Sequence, residues 1–173
     1  MSSRKSRGEL QPNKSPAARD PASDGPEKLV FLFTRTYAVY QKVLSSLLRE
    51  FDLDSHLRPG MGDVLFALFS ENGLSAGELS DKLGVPKSTM TGVIAGLEDN
   101  GVVESRPDDR DQRVNRLYLT RRGRSLEPRC RQLTDKLTSI FGGDLDPGDV
   151  ETFNELLAGL LLRLRVAAEP RER

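Results

Sequence analysis

The sequence predicts a mainly α-helical protein carrying one small β-hairpin, and three features of the 173-residue chain lead there. Apolar residues recur at steps of three and four over several long stretches, the period of a helix with one buried face. Two short helical patterns stand back to back near the middle, separated by little more than Gly84 and Pro86. Directly after them, apolar alternation flanks a tip made almost wholly of charged residues, the pattern of two paired strands. Hydrophobic residues make up 36% of the chain and charged ones 30%, polar for a globular protein but enough for one core.

Residues 1–26 hold Pro12, Pro16, Pro21 and Pro26 among Ser, Lys, Arg and Asp, with almost nothing apolar. Such a segment buries too little surface to offset its ordering, so it reads as a disordered tail. Leu29, Phe33, Tyr37, Tyr40, Leu44, Leu47, Leu48 and Phe51 then mark a long amphipathic helix, from Glu27 to about Phe51. A second helix follows Pro59 with Met61, Val64, Leu65, Leu68 and Phe69 on one stripe, and Asn72-Gly73 ends it.

Ser75 and Glu78 have the spacing of a capping box that opens a third helix, with Leu79 and Leu83 facing inward and Gly84 supplying the turn. Pro86 suits the first position of the fourth helix, and Met90, Val93, Ile94 and Leu97 form its buried stripe. Val102–Arg106 and Arg116–Thr120 read as the paired strands, with Leu117 and Leu119 pointing inward. Thr120 caps a helix over Arg121–Phe141, in which Pro128 should produce a kink. After Gly142-Gly143, Asp146 and Pro147 open the last helix, with Val150, Phe153, Leu156, Leu157, Leu160, Leu161 and Leu164 on a wide apolar face.

This order is that of a winged helix-turn-helix, a shape for entering DNA grooves. The expected layout is a lobe over residues 58–123, a connecting helix over 124–143, and dimerisation helices over 27–57 and 144–166. The two terminal helices have no evident partner within so small a lobe. Either both fold back onto the same core or a symmetric second copy covers them, and the second copy is preferred because a two-fold DNA reader also doubles its contacts.

Net charge is zero, so overall balance gives no vote for a nucleic-acid partner. Its distribution is uneven: residues 51–100 carry three Lys or Arg against eight Asp or Glu, and residues 101–131 carry nine Arg against five acids. A local positive end on a neutral protein is what a phosphate-facing surface needs, although a solvated face looks the same from charge alone. Lys87, Ser88, Thr89 and Thr91 lie at the start of the fourth helix, where free amides favour phosphate. Thr89 reads equally well as a local cap. On the hairpin, Arg113 is expected in the minor groove, with Asp111 orienting it through an ion pair, and Arg106, Arg110 and Arg116 at phosphates.

Other classes are poorly served. No apolar run approaches the ~18 residues of a membrane span, and the basic N-terminal stretch lacks the apolar core of a secretory signal. One cysteine, Cys130, allows no internal disulfide and suits a cytoplasmic protein. The single histidine, His56, has no companion at metal-ligand spacing, and neither a phosphate loop nor a nucleophile elbow is present. No catalytic residue, metal or cofactor is expected.

The segment DQRVNRLYLTRRG resembles the wing of the multiple-antibiotic-resistance regulator (MarR) family, through Asp111, Arg113, Leu117, Leu119, Thr120 and Gly123. The preceding stretch, LSAGELSDKLGVPKSTMTGVIAGLEDNGVVE, is similar to that family's helix-turn-helix, and the likeness runs from about Glu27 to Leu164. The resemblance implies a homodimeric repressor on double-stranded DNA, released by a small aromatic or amphipathic effector. Phe33, Tyr37, Tyr40, Phe66 and Phe69 are candidates to line the effector pocket, although aromatics at this spacing are more often core. The recognition helix departs from many relatives in offering a single basic residue, Lys87, beside Ser88, Thr91, Gly92 and Ala95. Two alternatives stay open: a regulator switched by Cys130 oxidation, its thiol pKa lowered by Arg129 and Arg131, and a winged-helix adaptor that binds protein and no DNA.

Overall fold

The computed structural model of the protein describes residues 25–168, so most of the expected 1–26 tail lies outside the described residues. The chain divides into two compact units between Tyr40 and Gln41. The described part of the first, residues 25–40, is the opening of helix α1 (Pro26–Glu50), which begins one residue earlier than expected. A proline suits that first turn, where its missing N–H costs nothing. This part of the helix exposes Leu29, Phe33 and Tyr37.

The second unit holds the rest of α1, with Leu47 and Leu48 buried. It continues through α2 (Gly62–Ser70), β1 (Leu74–Ser75), α3 (Ala76–Leu83), α4 (Lys87–Asp99), β2 (Val103–Pro107), β3 (Asn115–Leu119), α5 (Arg121–Gly142) and α6 (Pro147–Ala168). The expected two-stranded hairpin is a three-stranded antiparallel sheet in the order β1-β3-β2. Leu74 pairs with Leu117 on one side of β3, and Val103 through Pro107 pair with Leu119 through Asn115 on the other. Two residues are too few to show a period, so β1 was legible only as the lead-in to a helix cap. Pro107 falls on the outer strand β2, where no ladder donor is missed.

Leu53, Leu65, Leu68, Leu79, Met90, Leu97, Val102, Leu117 and Leu126 are the largest fully buried side chains and come from the α1–α2 loop, α2, α3, α4, the turn before β2, β3 and α5. Each contributes about 1.5–3 kcal/mol of burial relative to exposure, an upper bound because unfolded chains already hide some surface. Thr120 and Gly123 lock α5 against the sheet. The Thr120 hydroxyl accepts from the Gly123 amide at 3.0 Å and donates to the Gly101 carbonyl at 2.7 Å. A Cβ on Gly123 would stand 2.1 Å from the Val102 carbonyl oxygen, so only glycine lets the first turn of α5 lie there. Pro128 lies within α5, which is one helix from Arg121 to Gly142.

Helix α6 is capped as expected, with Asp146 accepting from the Asp149 amide at 2.9 Å. None of its 22 residues is buried. Among the described residues most of its apolar face is exposed, with Val150 and Leu160 half-buried.

Candidate nucleic-acid interface

The helix-turn-helix is built from local hydrogen bonds that the sequence made predictable. Ser75 accepts from the Glu78 amide at 3.2 Å, and Glu78 accepts from the Ser75 amide at 2.7 Å, closing the capping box of α3. Gly84 ends the helix at φ +60°, a left-handed position that suits glycine. The turn is tied by Ser80, whose hydroxyl donates to the Val85 carbonyl at 2.6 Å.

Pro86 is the N-cap of α4 rather than its first residue, and no side chain caps the helix. Thr89 is therefore not the local cap that its position allowed. Lys87, Ser88, Thr89, Thr91, Gly92 and Ala95 are all exposed, while Met90, Ile94 and Leu97 are buried. The Thr91 hydroxyl donates to the Lys87 carbonyl at 2.9 Å, turned toward its own helix. The result is a helix end with free amides and the positive pole of the dipole facing outward.

The wing tip is organised by aspartates that accept from backbone. Asp108 Oδ1 accepts from the amides of Arg110 at 2.7 Å and Asp111 at 3.1 Å. Asp111 Oδ1 accepts from the amide of Arg113 at 3.0 Å. The expected Asp111–Arg113 ion pair is thus replaced by an aspartate that shapes the backbone carrying the arginine. A carboxylate two residues back reaches the amide more easily than the end of the side chain.

The wing arginines fall into two kinds. Arg106 is ion-paired with Glu104 and lies 5.0 Å from the centre of the Tyr118 ring. Arg116 is ion-paired with Asp108 and Glu78 and also donates to the Gly73 carbonyl at 2.8 Å. The Arg116 guanidinium and two backbone amides hold the Asp108 carboxyl down at about 2, and the Glu78 carboxyl is lowered chiefly by the Ser75 amide. Among the described residues, the guanidinium groups of Arg110 and Arg113 have no hydrogen-bond or ion-pair partner, and both residues are exposed.

The expected effector residues are distributed between the two units. Phe33, Tyr37 and Tyr40 belong to the N-terminal unit. Phe66 and Phe69 meet edge to face at 5.7 Å and pack, half-buried, against the core. Sequence reasoning missed a cavity of about 350 Å³ between the C-terminal half of α5 and the start of α6. Leu137, Phe141, Val150, Phe153 and Leu157 supply its apolar lining, with Thr134 and Asn154 at polar points. The Gly142-Gly143 break, which folds one helix back beside the other, was its only sequence signal.

Cys130 is buried on α5, and burial pushes its thiol up to about 11, outweighing the opposite pull of Arg129. The lowered pKa expected from the flanking arginines is therefore reversed, because one face of the helix is dry. The His56 carbonyl accepts from Asn100, and among the described residues no group of His, Cys, Asp or Glu is placed to hold a metal.

Residues 59–114 match the MarR family. Over 162 residues the chain is 29% identical to the HTH-type transcriptional repressor IacR of Pseudomonas putida, covering 91% of this chain and 94% of that protein. A MarR transcriptional regulator from Methanosarcina mazei has a similar structure, with a TM-score of 0.64 at 26% identity, covering 81% of this chain and 99% of that one. The MepR–DNA complex of S. aureus shows the same fold at a TM-score of 0.66 and 19% identity, over 78% of this chain and 95% of that one.

Proposed function

The chain belongs to the MarR family of winged helix-turn-helix transcriptional regulators, and from that premise we propose that it is a homodimeric repressor released from a palindromic operator by a small effector. The observation that carries the DNA contact is the wing tip, where Arg110 and Arg113 are unpaired while Asp108 and Asp111 are turned onto backbone amides. Acidic groups occupied in this way repel phosphate less, and Arg113 is the side chain assigned to the minor groove. The uncapped start of α4 adds a site for a phosphate oxygen, with Lys87, Ser88 and Thr89 around it. Base reading then rests on Ser88, Thr91, thymine methyl contacts near Ala95, and DNA shape.

Two copies are needed to read a palindrome, and the exposed apolar face of α6 supplies a surface for the second. For the effector, the half-buried Phe66–Phe69 pair is the candidate lining that the second unit offers. The class of effector is an aromatic or amphipathic small molecule. The buried, high-pKa Cys130 argues against the redox alternative.

Selection of bound fragments from genomic DNA tests the reading. It should return a palindrome with half-sites about 10 base pairs apart. Arg113→Ala should then weaken binding about tenfold or more and flatten the logarithmic salt slope by about one unit. Unchanged operator affinity would remove Arg113 from the groove, and failure to enrich any fragment would favour the protein-binding adaptor.

A further inference from the structure

Arg116 stands directly opposite Arg106 across the β2–β3 pair. Like charges in that position destabilise a sheet unless each is neutralised nearby. Arg106 finds Glu104 and the Tyr118 ring on its own hairpin. Arg116 reaches further, and its guanidinium touches three separate segments. Its Nε donates to Asp108 at the wing tip. One terminal nitrogen donates to the Gly73 carbonyl in the α2–β1 turn at 2.8 Å, and to Glu78 on the first turn of α3 at 3.2 Å. Glu78 is also the return arm of the α3 capping box. A planar fork with five fixed donors can hold three acceptors at once, which a point charge on a flexible stem cannot.

We propose that Arg116 is a positioning residue for DNA binding, a strut that fixes the wing tip to the first helix of the helix-turn-helix, and not a phosphate ligand. With two carboxylates already on it, the guanidinium has little net charge to offer a phosphate. Asp108 carries the linkage outward, because the same carboxylate that meets Arg116 also accepts the Arg110 and Asp111 amides. The angle at which Arg110 and Arg113 leave the wing is thereby tied to Ser75 and Glu78. The proposal rests on the DNA-binding reading above and assigns a different job to one arginine within it.

Three single variants and one double variant separate strut from contact. Asp108→Asn keeps an acceptor oxygen for the amides but breaks the ion pair and removes a negative charge. If Arg116 met phosphate, that change would tighten operator binding and steepen its salt slope. As a strut, it weakens binding about tenfold with the slope unchanged. Arg116→Met should weaken binding equally, again at constant slope, and the double variant should be no worse than either single one. Arg116→Lys should fail to restore affinity, whereas a phosphate contact would largely survive it. Tryptic cleavage after Arg110 and Arg113 in the DNA-free protein should accelerate in Asp108→Asn. That readout needs no DNA, so it tests the strut even if the wild type binds no fragment. Unchanged cleavage, unchanged affinity, or a slope flatter by about one unit in Arg116→Met overturns the proposal.

Discussion

Cys130 illustrates how a single residue is misread from its neighbours in sequence. Arg129 and Arg131 flank it, but on a helix adjacent residues point in different directions. Arg131 faces water and the half-buried Arg129 reaches the Asp52 carbonyl, while the thiol faces the core beside Leu126 and Leu133. A thiol held at about 11 is almost wholly protonated at neutral pH and reacts slowly. Iodoacetamide at pH 8 should therefore label the native protein far more slowly than the protein in denaturant, and peroxide should leave operator binding unchanged. Labelling at the rate of a free thiol would contradict the burial. The wing shows the opposite case. Asp111 and Arg113 were legible as a linked pair, and only the mode of linkage differed, since an aspartate reaches the amide two residues on.

At the scale of elements, the two glycines Gly92 and Gly123 face opposite constraints. Gly123 is fixed by the Val102 carbonyl, and Gly123→Ala should cost about 1–3 kcal/mol or prevent folding, seen as a lowered thermal midpoint. Gly92 lies mid-helix on the exposed side of α4, and a Cβ there would meet open space. Gly92→Ala should raise the midpoint by roughly 2–4 °C, because glycine costs a helix about 1 kcal/mol relative to alanine. A fall in the midpoint would mean that Gly92 serves the fold. Helix boundaries were legible wherever local chemistry set them, as at Ser75, Gly84, Thr120 and Asp146. Strand β1 and the start of α4 were not. A two-residue strand exists only because β3 lies beside it, and the sequence shows no such neighbour.

For the whole molecule, the proposed dimer rests on the exposed apolar face of α6. Leu161 is 50% exposed on that helix, so Leu161→Glu should leave the helical content intact. It should shift the protein from dimer toward monomer in light scattering and lower operator affinity with it. A variant that stays dimeric at wild-type concentrations would remove this face of α6 from the interface. The apolar face was legible from its period; the cavity beside it was not, because it arises from the fold-back at Gly142-Gly143 and from no single motif.

If a second copy is what covers the exposed face of α6, operator binding acquires a dependence on the protein's own abundance. Below the dissociation constant for pairing, the population able to span both half-sites rises as the square of the chain concentration. A modest change in synthesis or proteolysis would then move operator occupancy steeply, before any effector arrives. Cooling would act in the same direction as dilution, because apolar association weakens as temperature falls.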